Sequence, residues 1–523
     1  MSTEHLSPAE GLHRILILLC VSVPSFMINL DSNIVAVSLS SIAQSLHADF
    51  ADIEWVISAY TLTFASCVMP AGALADRYGR KRMLLIGLSV FTGASLICGA
   101  AGDVLLLNGA RALQGIGAAI LLSSALATLS HTFRGAHRAR AFAFWGSVIG
   151  IATSLGPVAG GFITQHFGWQ WVFYINIPIG AAMFALTLYA VDESRDPHAR
   201  KVDVPGSLTF SSSLFLVTLA LITGNHEGWG SNEIVLEFAC SGALFVLFLL
   251  VETRQQRPML DLSFFRRPTY IGANIAGLAY AGGLLTMFTY LPIYFQSGLG
   301  LSPQKAGLLM LPIALPLFIV PRIVATWLTH RFSGRALLTV GLATIGVGLS
   351  WLAMQALQFD YASMSAGLLI AGVGAGILNG ETAKVSMSVI PPERAGMASG
   401  VSGTVRFSGI VVGFAALGAI LFSRVSATLA ESLPPGSDID PVALTRSIAA
   451  GDLSAGQQAM LPGIDLHALA LHSFGSGYQA ILLVGAAIAF SAALLTWLLV
   501  RSSDTAPTPR HASSASVVAP QVE

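Results

Sequence analysis

Charge is scarce in this sequence: Asp, Glu, Lys and Arg make up 10% of its 523 residues, against roughly 25% in soluble globular proteins. So little charge cannot cover a water-facing surface, which excludes a soluble enzyme. The 27 basic and 27 acidic residues cancel, so no net field draws the chain to nucleic acid. Cysteine is scarce as well. Cys20, Cys67, Cys98 and Cys240 lie far apart inside apolar runs with no CxxC spacing, and they read as small buried hydrophobes rather than a disulfide or zinc framework. HExxH, GxSxG and P-loop patterns are missing, and GVGAGI at 372–377 lies inside an apolar run with no strand before it, unlike a dinucleotide loop. The expectation is no enzyme, no metal and no cofactor.

What is abundant is apolar sequence, 54% of the chain, with a mean hydropathy of +0.71. About 20 apolar residues cross the roughly 30 Å of hydrocarbon in a bilayer as a helix. Fourteen such segments centre near 15–37, 54–75, 83–101, 104–129, 141–163, 171–191, 205–223, 234–251, 270–295, 306–329, 336–356, 362–388, 397–422 and 477–500. The first is no cleaved signal peptide, being too long and carrying Asp31. With a cytoplasmic N-terminus, 20 Lys and Arg fall on inner loops and tails and three (Lys305, Arg424, Arg446) on outer ones, which predicts both termini in the cytoplasm.

The loop ALADRYGRKR at 73–82 has a weaker echo in WLTHRFSGR at 327–335, and duplicated six-helix halves are a known transporter solution. The expected organisation is a cytoplasmic N-terminus (1–14), a six-helix bundle (15–191), a linker with two extra helices (192–269), a second six-helix bundle (270–500) and a disordered cytoplasmic tail (501–523). Residues 424–475, with Pro434, Pro435 and several Asp, are expected to form a long outer-face loop.

Within GALADRYGRKR, Gly72 permits close helix approach, Asp76 can pair with Arg77, Arg80 or a helix N-terminus, and Gly79 permits a tight turn. Together they fit an inner latch. Arg111 stands in the uncharged run LLLNGARALQGIGAAILL, and an intramembrane arginine calls for a partner. Asp31 qualifies: it lies about 24 Å along the first helix, and Arg111 about 10 Å below the outer surface, so both fall in the outer half of the bilayer. A carboxyl group raised in pKa by burial and lowered by Arg111 can couple a proton to a conformational change; a static pair is the other reading. In GSVIGIATSLGPVAGG, Gly146, Gly150, Ser154, Val158 and Gly161 share a face, while Gly156, Pro157 and Gly160 add a weak point; packing and a hinge both fit. In the second half Glu381 is expected about 15 Å from the inner surface, close to Arg322 and Arg406 and one turn from Lys384. Whether it binds protons or neutralises these buried bases is open.

GALADRYGRKR, ARALQGIGAA and GSVIGIATSLGPVAGG, with WQWVFYINIPIG at 169–180, LPIYFQSGLGLSPQKAG at 291–307 and ERAGMASGVSGTVRFSG at 393–409, resemble motifs of the major facilitator superfamily, in particular its fourteen-helix drug:proton antiporters of the EmrB/QacA type. The resemblance implies an all-α membrane protein of two six-helix bundles plus two inserted helices, exporting a small amphipathic compound in exchange for protons, the proton being the only coupling ion. It implies proton coupling at Asp31 and Arg111, an inner gate at Asp76, Arg77 and Arg80, and an antiporter stripe from Gly146 to Gly161. The chain departs from the pattern at His330, where the repeat would place an acid, and at Arg322, where some drug exporters hold a carboxylate. Glu381 is the candidate acid of the second half. The expected setting is a bacterial inner membrane, with a periplasmic adaptor and outer-membrane channel left open as partners. Export of an endogenous metabolite or organic acid is the alternative, and a non-transporting sensor or scaffold a third.

Overall fold

A backbone surrounded by hydrocarbon must satisfy its own hydrogen bonds, and the apolar runs accordingly fold as helices. The computed structural model describes residues 8–133, 135–195, 203–255, 260–390, 395–433, 441–453 and 465–505. In chain order the long helices are α1 Pro8–Leu46, α2 Phe50–Tyr78, α3 Arg80–Gly99, α4 Val104–Thr132, α5 Gly135–Phe167, α6 Trp171–Ala190, α7 Val204–Glu227, α8 Asn232–Arg254, α9 Pro268–Gly298, α10 Leu311–Leu328, α11 Gly334–Gln355, α12 Tyr361–Ser388, α13 Ala395–Ser432 and α14 Leu466–Leu499. Among the described residues, thirteen helices are long and apolar enough to cross a membrane; α2 is not one of the thirteen. No strand occurs among the described residues.

Short polar residues set where helices begin, because their side chains satisfy the first free backbone N–H groups. Asp49 and Asp52 form a reciprocal capping box at the start of α2. Asp103, Ser333, Asp360 and Asp465 cap α4, α11, α12 and α14. Helix α6 is broken at Ile175, and further interruptions fall in the second half of the chain: α9 contains π-turns at Tyr280–Leu285 and Tyr294–Gly298, and α10 ends in another at Val324–Leu328. In α12 the helix stops at Leu378 and restarts at Glu381, with Gly380 at φ +93° in the left-handed region that glycine favours. By contrast α5 runs unbroken through Pro157.

The outer-face segment is shorter than expected. Helix α13 continues to Ser432 and α14 begins at Leu466, because the two extensions bond one another: Arg424 Nε donates to Ser476 Oγ at 3.1 Å, and Thr428 lies 3.3 Å from the same hydroxyl. The short helix Pro441–Ala449 buries Leu444, Thr445, Ile448 and Ala449 and packs on α13, α14 and α2. Most of the expected C-terminal tail, from 506, lies outside the described residues.

Helices α1 and α5 pack together, as do α2 and α3 with α4, α11 with α12 and α14, and α10 with α12. Helices α7 and α8 form a hairpin held by reciprocal bonds, Ser213 Oγ to the Ser241 carbonyl and Ser241 Oγ to the Ser213 carbonyl, both 2.9 Å. That hairpin lies on α2 and α13. Contact between the first six helices and the last six runs along a seam, where α1 meets α9, α2 meets α13, and α5 meets both α10 and the short helix Pro303–Leu309.

Candidate functional site

Five polar side chains converge inside the first six helices. Asp31 of α1 accepts from Arg111 Nη1 of α4 at 2.7 Å, from Gln114 Nε2 at 2.9 Å and from Asn176 Nδ2 of α6 at 2.8 Å. Ser95 of α3 closes the ring, accepting from Gln114 Nε2 at 2.8 Å and Asn176 Nδ2 at 3.3 Å. Arg111 also donates from Nη1 to Gln114 Oε1 at 2.7 Å and from Nε to the Val56 carbonyl of α2 at 3.0 Å. Its guanidinium lies 4.1 Å from the centre of the Tyr60 ring. The helical pitch explains the assembly: Arg111 and Gln114 are three residues apart and share a face of α4.

Asp31 is 1% exposed and Arg111 not at all. Each Asp31 oxygen accepts a hydrogen bond, so the cage fits the carboxylate, and charge-assisted bonds offset its desolvation. Gln114, Asn176 and Ser95 were not among the residues expected from sequence. The signal was there, since each is a polar side chain inside an apolar run.

The other expected residues lie elsewhere. Gly72 faces Ser123 of α4, and the Asp76 side chain lies outside the described residues. Arg77 is exposed beside the Tyr78 ring. Gly79 turns the chain at φ +112°, and Arg80 N donates to the Ser194 carbonyl at 2.9 Å. Glu193, after α6, accepts from the backbone N–H groups of Lys81 and Arg82, both at 3.2 Å. The described contacts of this loop are thus with the chain just past α6, and an acid at the N-terminus of α3 offsets its unpaired donors.

The small residues of α5 serve two neighbours. Gly156 and Gly160 lie against Asn33 and Ile34 of α1, while Gly161 meets Pro303 and Gln304 and Gly150 lies against Phe318, across the seam. Ser154 Oγ donates to the Ala314 carbonyl of α10 at 2.9 Å. Pro157 abuts Gly307, and Gly146 touches nothing within 4 Å.

In the second half two expectations need correction. Glu381 is buried, but it lies beside Gly334, the first residue of α11, so it sits level with a helix end rather than the expected distance of about 15 Å from it. The cause is the break at Gly380, which makes Glu381–Ser388 a separate two-turn helix. Arg322, Lys384 and Arg406 are also not a buried cluster around it. Lys384 Nζ pairs with Glu381 at 3.2 Å, yet its side chain is 51% exposed. Arg322 is exposed over the Phe318 ring, and half-buried Arg406 faces Tyr280. The spacing in sequence could show only that Lys384 reaches Glu381.

A second buried carboxyl group was missed. Glu54 of α2, 2% exposed, lies on the seam, where Oε1 is 3.4 Å from the Tyr290 hydroxyl of α9. Gly418 of α13 leaves the room that the carboxyl occupies, since a Cβ there would overlap it.

Comparison with known proteins agrees with this architecture. The model of the Major Facilitator Superfamily matches residues 21–414. The chain is 35% identical to the multidrug resistance protein Stp of Mycobacterium tuberculosis over 80% of its own length and 78% of that protein's. It is 34% identical to the methylenomycin A resistance protein of Streptomyces coelicolor, over 76% and 83% of the two chains. The tetracenomycin C resistance and export protein of Streptomyces glaucescens is 32% identical, over 78% and 76%. Among solved structures, a bacterial homologue of the human lysosomal transporter Spinster, inward-facing and occupied, superposes with a TM-score of 0.62 at 15% identity, covering 94% of this chain and 98% of that one. The last similarity speaks to the fold alone.

Proposed function

The chain belongs to the Major Facilitator Superfamily, as a multi-pass membrane transporter, and from that premise we propose that it is a proton-coupled efflux antiporter for small amphipathic compounds. In this reading fourteen helices span a bacterial inner membrane, α2 included, with both termini cytoplasmic. Helices α1–α6 and α9–α14 form two bundles that rock about the seam, and α7–α8 ride along its edge. The proton is the coupling ion, and no other cofactor is needed.

The observation that carries the reading is the Asp31–Arg111 pair at 2.7 Å, wholly buried among helices of one bundle. A buried ionisable pair is costly to keep, and in transporters such residues mark proton relays. That relatives of this chain are named for multidrug and antibiotic resistance supports drugs as cargo. Protonating Asp31 releases Arg111 and frees α1 from α4; the proton motive force drives the cycle, an elementary charge crossing 100 mV supplying about 2.3 kcal/mol. Gly150, Ser154 and Gly161, packed across the seam, let α5 slide against its partners, and the loop around Asp76, Arg77 and Arg80 forms the inner gate.

The test is substrate-driven proton movement in proteoliposomes, with flux normalised to inserted protein. Wild type should acidify or alkalinise the lumen with the sign of exchange, and Asp31→Asn should not. Equal proton movement in the variant removes Asp31 from the mechanism. One observation favours an organic acid as cargo instead: Arg322 and Lys384 are exposed on helices that line the membrane region, and a cation there is kept where water reaches it. Competition by anionic against cationic compounds in the same vesicles separates the two.

A further inference from the structure

Glu54 is a buried acid on the seam that the coupling scheme above does not use. The Tyr290 hydroxyl donates to the Phe414 carbonyl of α13 at 2.7 Å, and the same oxygen is 3.4 Å from Glu54 Oε1. A phenol has one proton to give. The shorter distance gives that proton to the Phe414 carbonyl, so the phenol offers Glu54 at most a long, weak bond, and a carboxylate there has no short donor among the described side-chain contacts. A carboxylate so weakly bonded in a buried seam is costly, and a protonated carboxyl is not, while Gly418 supplies the room in which the carboxyl sits.

Among the described residues the surroundings offer no compensating charge. The titratable groups that face Glu54 are Tyr290 from α9 and Asp49 at the cap of α2, with Tyr478 of α14 behind the Tyr290 ring at 6.5 Å. From α13 it meets the backbone near Gly418. Arg111 of α4 bonds the carbonyl of Val56, two residues along α2 from Glu54, but its charge is taken up by Asp31. Arg446 lies on the surface helix Pro441–Ala449, which also packs on α2. Among the described residues no lysine, arginine or histidine is within ion-pair distance of Glu54.

Position gives this proton a task. Glu54 is the fifth residue of α2, about 6 Å from the helix start, on the face opposite the cytoplasm in the orientation that the basic loops imply. The other described hydrogen bonds that join the two sets of six helices are Gln296 Nε2 to the Val37 carbonyl, 2.8 Å, and Ser154 to Ala314. We propose that Glu54 is a proton-binding site at the outer end of the seam, and that the bound proton holds the outer side closed. Loss of the proton leaves a carboxylate against the Tyr290 oxygen and the Phe414 carbonyl, and the seam parts there. The direction of use rests on the transport reading, in which the outer side opens to release cargo and to load a proton.

The test reads a distance with no substrate present, so it is independent of the flux assay on Asp31→Asn. Nitroxide labels go on Gln44→Cys of α1 and Glu431→Cys of α13, both exposed, with Cys67 and Cys240, the two native cysteines not fully buried, changed to alanine. In lipid nanodiscs the label-to-label distance should lengthen as pH rises. Glu54→Gln, which keeps a donor at all pH values, should lose that transition and stay short. Tyr290→Phe removes the acceptor for the carboxyl proton while keeping the ring, so its transition should come at lower pH than in wild type. A wild-type distance independent of pH, a Glu54→Gln protein that opens as wild type does, or an unmoved transition in Tyr290→Phe overturns the proposal.

Discussion

Of the buried carboxyl groups, Asp31 and Glu54 have opposite surroundings. Asp31 is held by an arginine, a glutamine and an asparagine within one set of helices. Glu54 meets a single phenol across the seam, with no cation in reach among the described residues. The first environment stabilises charge and the second excludes it. The contrast separates a group whose proton would break a structure from one whose proton completes it.

The sharpest way to break this contrast is to delete charge at Asp31. Asp31→Asn or Arg111→Met leaves the partner's charge buried and unpaired, which should cost about 3–5 kcal/mol in unfolding by SDS titration. The double variant should recover most of that loss, since neither charge remains; equal loss in single and double variants would show that the cage, not the pair, carries the stability. Next is Gly418→Ala. Its methyl group would enter the space of the Glu54 carboxyl, and overpacking of this kind should cost about 1–3 kcal/mol, with the label distance lengthened at low pH. Glu54→Gln should change stability by no more than about 1 kcal/mol, because a neutral hydrogen-bonding group replaces a neutral one. A loss as large as that of Asp31→Asn would mean Glu54 is charged here. Smallest of all is the exposed control, Glu193→Gln. Its carboxylate accepts from the first N–H groups of α3, and a helix-terminal charge in water is worth about 0.3–1 kcal/mol.

The all-helical membrane class was legible from the sequence because hydropathy accumulates along the chain, residue by residue. The Asp31–Arg111 pair could be anticipated because both were lone charges in apolar runs and a rise of 1.5 Å per residue puts them at one depth. Glu381 shows where that method stops. Its depth was reckoned on a continuous helix, and the turn at Gly380 carried it level with the first residue of α11. Arg322 and Arg406 share its part of the chain, yet they face Phe318 and Tyr280, because rotation about a helix axis is fixed by packing and not by depth. The outer-face segment was overestimated for a related reason: helices α13 and α14 outlast their apolar runs once their ends bond each other at Arg424 and Ser476.

Composition and periodicity alone thus settled that the chain lives in a bilayer, where its helices lie along the sequence, and that Asp31 needs a cation. Tertiary structure alone decided that Glu54 has none among the described residues. Its partner Tyr290 stands 236 residues away, and whether a carboxyl group is met by a guanidinium or a phenol depends on which helix faces are pressed together, a relation that no local property of either segment contains.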